Sequence, residues 1–224
     1  MKKISLYIVL AVVFFSCHKK STEVVLYYDA AKSHIQADYF VRADSPSVKE
    51  GTYKQYTADG SLQEIRHYHN NVMTDTLTRL YPSGKTSEIS IYKNNMLNGP
   101  RQLYFDNGKL MIEENYINNI YEGPYITYFD NGVLKQKGQY TDNKMSGVWV
   151  SYYADGKLKE KVTFADNDEN GPYTEYWENG NLSESGVYKD GTEDGVINYY
   201  DESGKLIRQT TFQDQHPIKS IAIK

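Results

Sequence analysis

Glycine recurs in this chain at a fixed interval of 24 residues. Gly60, Gly84, Gly108, Gly132, Gly156, Gly180 and Gly204 form one column. A second column of Gly51, Gly99, Gly123, Gly147, Gly171 and Gly195 keeps the same interval, with Asp75 in the remaining place. A spacing held without insertion for roughly 160 residues means one small unit stacked on copies of itself, each burying its apolar surface against its neighbours. Such a chain needs no single core, so its 224 residues read as one repeat domain.

Within a unit, the run from the second column to the first is short, aromatic and β-branched. Examples are Gly99-Pro-Arg-Gln-Leu-Tyr-Phe-Asp-Asn-Gly108 and Gly123-Pro-Tyr-Ile-Thr-Tyr-Phe-Asp-Asn-Gly132. Each run ends in Asn-Gly, Asp-Gly or Ser-Gly, a hairpin signal because these residues tolerate positive φ. A second run follows, with Leu62, Leu110, Leu134, Leu158, Leu182 and Leu206 two places past the turn glycine. It also carries an aromatic column at Tyr68, Tyr92, Tyr116, Tyr140, Phe164, Tyr188 and Phe212. Just beyond stands Asn or Asp in every unit, at 70, 94, 118, 142, 166, 190 and 214, marking a second turn. Two strands and two turns per unit predict an all-β fold: an elongated single-layer antiparallel meander of stacked β-hairpins in a twisted open sheet, without helices. The seven repeats occupy residues 51–217. Residues 18–50 read as a tether and a degenerate capping repeat, with Val24–Asp29 as its second half and an insertion before Gly51. Residues 218–224 read as a C-terminal cap over an open sheet edge.

These features resemble the MORN-repeat variant family of bacterial exported proteins, whose units run Gly-x-aromatic-x-x-Tyr-aromatic-x-x-Gly-x-Leu and then a Tyr followed by Asn. The resemblance spans residues 51 to 216 in register. Unit two departs from it, with Asp75, Leu77 and Leu80 replacing Gly, aromatic and Tyr, which leaves room for an irregular hairpin. The resemblance implies a repeat scaffold and carries an antitoxin-like family label, neither of which specifies chemistry.

The N-terminus reads as an export signal. Lys2 and Lys3 precede the apolar stretch Ile4 to Phe15, and Ser16 stands before Cys17, the only cysteine of the chain. That stretch is too short to span a bilayer. The pattern resembles a bacterial lipoprotein signal, residues 1–17, in which Cys17 becomes the lipidated first residue; Phe14 departs from the usual Leu. The alternatives are an ordinary cleaved signal or a free thiol. His18, Lys19 and Lys20 resemble neither an inner-membrane retention signal nor a surface-export run, so the expected location is the outer membrane, facing the periplasm. Net charge is −4, and about −6 without Lys2 and Lys3. That balance argues against nucleic acid as a partner.

Function has to come from the faces of the sheet. If the Asn-Gly loop is a two-residue turn, one face holds Tyr53, Tyr125, Trp149 and Tyr173, the column Phe105, Phe129, Tyr153 and Trp177, the leucines and the late aromatics. A bulged turn would exchange part of this set. The opposite face carries a tyrosine stripe, Tyr104, Tyr128, Tyr152, Tyr176 and Tyr200, among polar residues. An apolar face this large needs a cover, whether by curling, self-association or a partner. Gly138 and Gly186 inside second strands leave room for close approach. The stripe is either a cross-strand ladder or a surface for sugars or an extended peptide.

Reaction and metal chemistry find little support. His67 and His69 lack a third ligand. The sequence from Asp166 to Gly171 begins like a calcium loop but reaches Trp177 where the twelfth-position Glu belongs. No nucleophile with a paired base and no phosphate loop is present, so neither an enzyme nor a cofactor is expected. The expected function is a non-enzymatic, membrane-tethered scaffold binding an envelope protein or a second copy of itself. A cell-wall glycan binder and an antitoxin or immunity protein are the alternatives.

Overall fold

The computed structural model describes residues 9–10 and 21–223; Cys17 lies outside them. All regular structure among these residues is β. The chain forms two compact units. The first ends at Gly108 and takes in Ile117–Asn119; the second comprises Lys109–Tyr116 and everything from Ile120 onward.

The first unit contains β1 (Val9–Leu10), β2 (Ser21–Tyr27), β3 (Ile35–Arg42), β4 (Ser45–Tyr56), β5 (Leu62–His69), β6 (Val72–Met73), β7 (Asp75–Leu80), β8 (Thr86–Lys93) and β9 (Met96–Tyr104). From β2 onward each strand pairs antiparallel with the next, β6 and β7 together facing β5. The second unit contains β10 (Leu110–Ile117), β11 (Ile120–Tyr128), β12 (Leu134–Thr141), β13 (Lys144–Tyr152), β14 (Leu158–Ala165), β15 (Asp168–Glu169), β16 (Gly171–Tyr176), β17 (Leu182–Lys189), β18 (Thr192–Tyr200), β19 (Leu206–Gln213) and β20 (His216–Ala222). It is the same meander from β11 to β20.

The second turn lies where the Asn/Asp column places it, but the first differs from the simplest reading of the sequence. The Asn-Gly segment is not a two-residue turn: Phe129 and Val133 face each other, with Phe129 N–H donating to Val133 O and Gly132 N–H to Phe129 O, both at 2.8 Å. Gly132 sits at φ 90°, the geometry of a three-residue bulged loop. A further bulge follows, so that Tyr128 opposes Leu134 while Thr127 opposes Gln136. This moves the leucine column across the sheet. Leu62, Leu134, Leu158, Leu182 and Leu206 lie opposite Tyr56, Tyr128, Tyr152, Tyr176 and Tyr200, and so belong with the tyrosine stripe and not with the aromatic face. The two-residue turn is the other one, at pairs such as Asn94-Asn95 (φ 54° and 65°) and Asp142-Asn143 (φ 51° and 66°).

The second glycine column marks a bulge where each hairpin meets the preceding one. Between Lys137↔Val150 and Gln139↔Ser146 one strand advances two residues and the other four. Asp75 adopts φ 66° at this place and pairs with Tyr92 just as Gly123 pairs with Tyr140. Unit two is therefore regular, because an Asp tolerates the left-handed conformation that the column requires.

The ends of the chain extend the meander. Val24–Asp29 is not the second half of a degenerate repeat: β2 is a first strand, and the supposed insertion contains its partner, β3. The C-terminal segment continues as β20, paired along β19.

Successive hairpins are fastened at both ends. At the two-residue turns, Asn71 accepts from Lys49 N–H through Oδ1 (2.7 Å) and donates its own N–H to Lys49 O (3.0 Å). Asn95, Asn119, Asn143 and Asn167 repeat this double bond on Met73, Leu97, Tyr121 and Met145. Gly191 keeps only the backbone half, to Glu169 O. At the bulged loops, the hydroxyls of Tyr28, Tyr81 and Tyr153 donate to the carbonyls of Tyr56, Tyr104 and Tyr176. Trp177 Nε1 does the same to Tyr200 O at 3.1 Å.

Candidate functional site

In the second unit the aromatic face packs on itself without a second layer. Trp149, Val162, Tyr173 and Ile197 are buried, flanked by Tyr125, Tyr140, Phe164, Tyr188 and Phe212. Tyr140 and Phe164 meet Trp149 edge to face, with ring centroids 5.3 and 6.1 Å away. The indole lies against Gly138, where a Cβ would stand 2.1 Å from Trp149 Cδ2. Gly186 makes the same room for Ile197 Cδ1. Neither glycine has positive φ, so space alone explains both.

The first-unit face is instead laced with charge. Arg79 Nε donates to Glu64 Oε2 at 2.8 Å and its Nη1 to Glu88 Oε2 at 2.7 Å, while Arg101 Nε donates to Glu88 Oε1 at 2.7 Å. Arg66 also pairs with Glu64. Both glutamates are buried. Although burial opposes ionisation of Glu88, the bonds from Arg101 and Ser90 hold its carboxyl below the ordinary range. Lys49 Nζ lies 5.6, 4.8 and 5.1 Å from the ring centroids of Tyr39, Tyr53 and Tyr68.

Toward the C-terminus the face opens into a cavity of about 590 Å3, lined by Tyr153, Trp177 and Tyr199 with Glu175, Glu184 and Arg208. Its two glutamates belong to a row of three: Glu160, beside the cavity, opposes Glu175, which opposes Glu184. Burial and the neighbouring Glu184 and Glu160 raise the Glu175 carboxyl above its usual range. Burial with Glu160 raises Glu169, and burial with Glu184 raises Glu193. The Tyr173 hydroxyl donates to Glu184 and, at 3.3 Å, to Glu193. Arg208 lies over Tyr199, 3.8 Å from its centroid.

The sequence-predicted residues divide among these places. Tyr125, Trp149 and Tyr173 come together in the aromatic cluster, whereas Tyr53 joins the Lys49 cage. Phe105, Phe129, Tyr153 and Trp177 occupy the bulged loops, and Tyr153 and Trp177 reach the cavity. The stripe Tyr104, Tyr128, Tyr152, Tyr176 and Tyr200 is half-buried; Tyr104 donates to Gln102 Oε1 at 3.0 Å. His67 and His69 have local partners in Thr76 O and Glu50. Sequence reasoning missed the glutamate row. Its signal is spacing: partners 15 and 9 residues apart, which becomes legible only once the register is known.

A family model described as MORN repeat variant matches residues 49–70, 97–118, 121–142, 145–166, 169–190 and 193–214. A comparison with curated protein sequences gives no match. Among solved structures, the chain is similar to a crystal structure of TcdB2-TccC3, with 12% identity over 88% of this chain and a TM-score of 0.24. A second similarity is to TcdB2-TccC3-Cdc42, with 12% identity over 86% of this chain and a TM-score of 0.24. This chain spans only 13% and 12% of the length of those two chains.

Proposed function

The chain belongs to the MORN repeat variant family, and from that premise we propose that it is a non-enzymatic scaffold tethered to a bacterial envelope membrane through lipidated Cys17 and binding another envelope protein. The repeats build a scaffold whose variable content is the side chains on its faces. The observation that carries the binding reading is the open cavity at Tyr153, Trp177 and Tyr199, where rings and carboxylates gather at an accessible surface. Aromatic rings with a polar rim are the composition of recognition faces. The N-terminal pattern ending at Cys17 supplies the tether in this reading.

Crosslinking of the tagged full-length protein in its native membranes, beside a Cys17→Ala control, tests it. Capture of one specific envelope protein only with the cysteine intact is the expected result. Recovery of the protein alone would replace a partner with self-association, and co-sedimentation with purified peptidoglycan without any captured protein would replace it with glycan.

A further inference from the structure

The repeat lets one position be compared with itself elsewhere in the chain. Arg79 stands on β7 between Glu64 and Glu88 and bridges both. Four repeats later the same position is Glu175, between Glu160 and Glu184, which occupy the columns of Glu64 and Glu88. The column that holds Lys49 inside its tyrosine cage likewise becomes Glu169 and Glu193. The two glutamates and the rings of Tyr53 and Tyr68, now Tyr173 and Tyr188, are thus kept, while Arg79 and Lys49 are exchanged for further carboxylates and Arg66 and Arg101 for Val162 and Ile197.

We propose that Glu160, Glu175 and Glu184, with the rings of Tyr153, Trp177 and Tyr199, form a docking site for a basic segment of a partner protein, whose arginine or lysine side chain takes the place that Arg79 fills in the first unit. This rests on the scaffold reading and specifies the chemistry of its partner.

Like charges directly opposite one another weaken a sheet, so the row opposes folding as it stands. Among the described residues, none of Glu160, Glu169, Glu175, Glu184 and Glu193 forms an ion pair, and no group of three acidic side chains is arranged to hold a metal ion. The first unit shows what does satisfy this geometry: a guanidinium forking between two carboxylates. The cavity wall already accepts that group, since Arg208 stacks on Tyr199. Its dimensions admit a side chain and its neighbours. The negative net charge of the chain favours the approach of a basic partner.

The test titrates the full-length protein with a short peptide of alternating arginine and serine, following tryptophan fluorescence, beside the same peptide with citrulline for arginine. Saturable binding is expected, weakened about ten-fold by raising salt to about 0.5 M and lost with citrulline. Glu175→Arg installs within the chain the residue that the first unit has. It should abolish peptide binding while leaving the thermal midpoint unchanged or higher, which separates loss of the site from loss of the fold. Absence of binding to the arginine peptide, or undiminished binding by Glu175→Arg, overturns the proposal; so does equal affinity for spermine, which would assign the site to small polyamines. Membrane crosslinking with the Glu175→Arg protein separates the two readings. An envelope protein still captured by this variant leaves the scaffold standing and removes this site, whereas nothing captured by the wild type removes the scaffold whatever the peptide does.

Discussion

The first unit fills its face with an ion-paired ladder from Arg66 through Glu64, Arg79 and Glu88 to Arg101, whereas the second fills the same columns with rings around Trp149 and then with glutamates that meet hydroxyls but no cation among the described residues. The turns and strand register are the same in both. The 24-residue unit therefore specifies a hairpin and its fastening to the next, and leaves the face free to become a salt-bridged ladder, an aromatic core or an acidic groove. Stability is borne by the turns and stitches together with whichever filling a given repeat has acquired.

The sharpest way to break this comparison is at the column shared by Ser90 and Gly138. Gly138→Val drives side-chain atoms into the Trp149 indole and should cost about 3 kcal/mol in denaturant unfolding followed by tryptophan fluorescence. Ser90→Ala, in the same column, loses only the bond to Glu88 and should cost about 1 kcal/mol. Between these two in size is Arg79→Met, which leaves Glu64 and Glu88 each short of one cation. Because Arg79 is itself nearly half exposed, the expected loss is about 2 kcal/mol, below the usual range for a fully buried pair. A gain in denaturation midpoint on this substitution would mean that the ladder contributes nothing.

Acid should move the two faces in opposite directions. Glu175, Glu169 and Glu193 bind protons more readily folded than unfolded. Local stability around β15, β16 and β18, and the β17 strand between the last two, should therefore rise as pH falls from neutral toward the ordinary glutamate value of 4.5. Glu88 is held low, so its contribution is present above that value and is lost as pH falls from it through the lowered one. Hydrogen exchange of β8 and β17 across this range reads both signs, and parallel behaviour would contradict the assignment. The smallest effect is Glu175→Gln. Removing one of three adjacent like charges should raise the denaturation midpoint by an amount equivalent to roughly 0.5 kcal/mol.

Much of this was legible in the residues. The glycine columns place the seven hairpins from Gly51 onward, because a turn or bulge requiring positive φ leaves few alternatives to Gly, Asn and Asp; the β2–β3 hairpin, which has no glycine, was missed. The kind of turn was not legible. Asn-Gly suits both a two-residue turn and the bulged loop seen at Phe129–Val133, and the choice depends on strand register. That ambiguity hid the side of the leucines, but Glu175 pairs with Glu184 under either turn; the alignment of Glu160 with Glu175 was hidden instead by the bulge at Gly171, across which the register shifts by two. The asparagines at 71, 95, 119, 143 and 167 were equally visible, but their role depends on a backbone 22 residues away.

Those asparagines bear on how such a chain can change over time. An extra residue in a strand would carry the amide out of reach of the preceding hairpin, whereas a bulged loop can lengthen: the one from Tyr28 to His34 is longer than the others and its Tyr28 hydroxyl still caps Tyr56 O. The strands and two-residue turns cannot absorb a small insertion without breaking a tie to a neighbour. Length can therefore vary by whole units, and within a unit at the bulged loop, as in the longer loop from Tyr28 to His34. A lineage of such proteins should differ by the number of its repeats and by the side chains on its faces, and seldom by the size of a repeat.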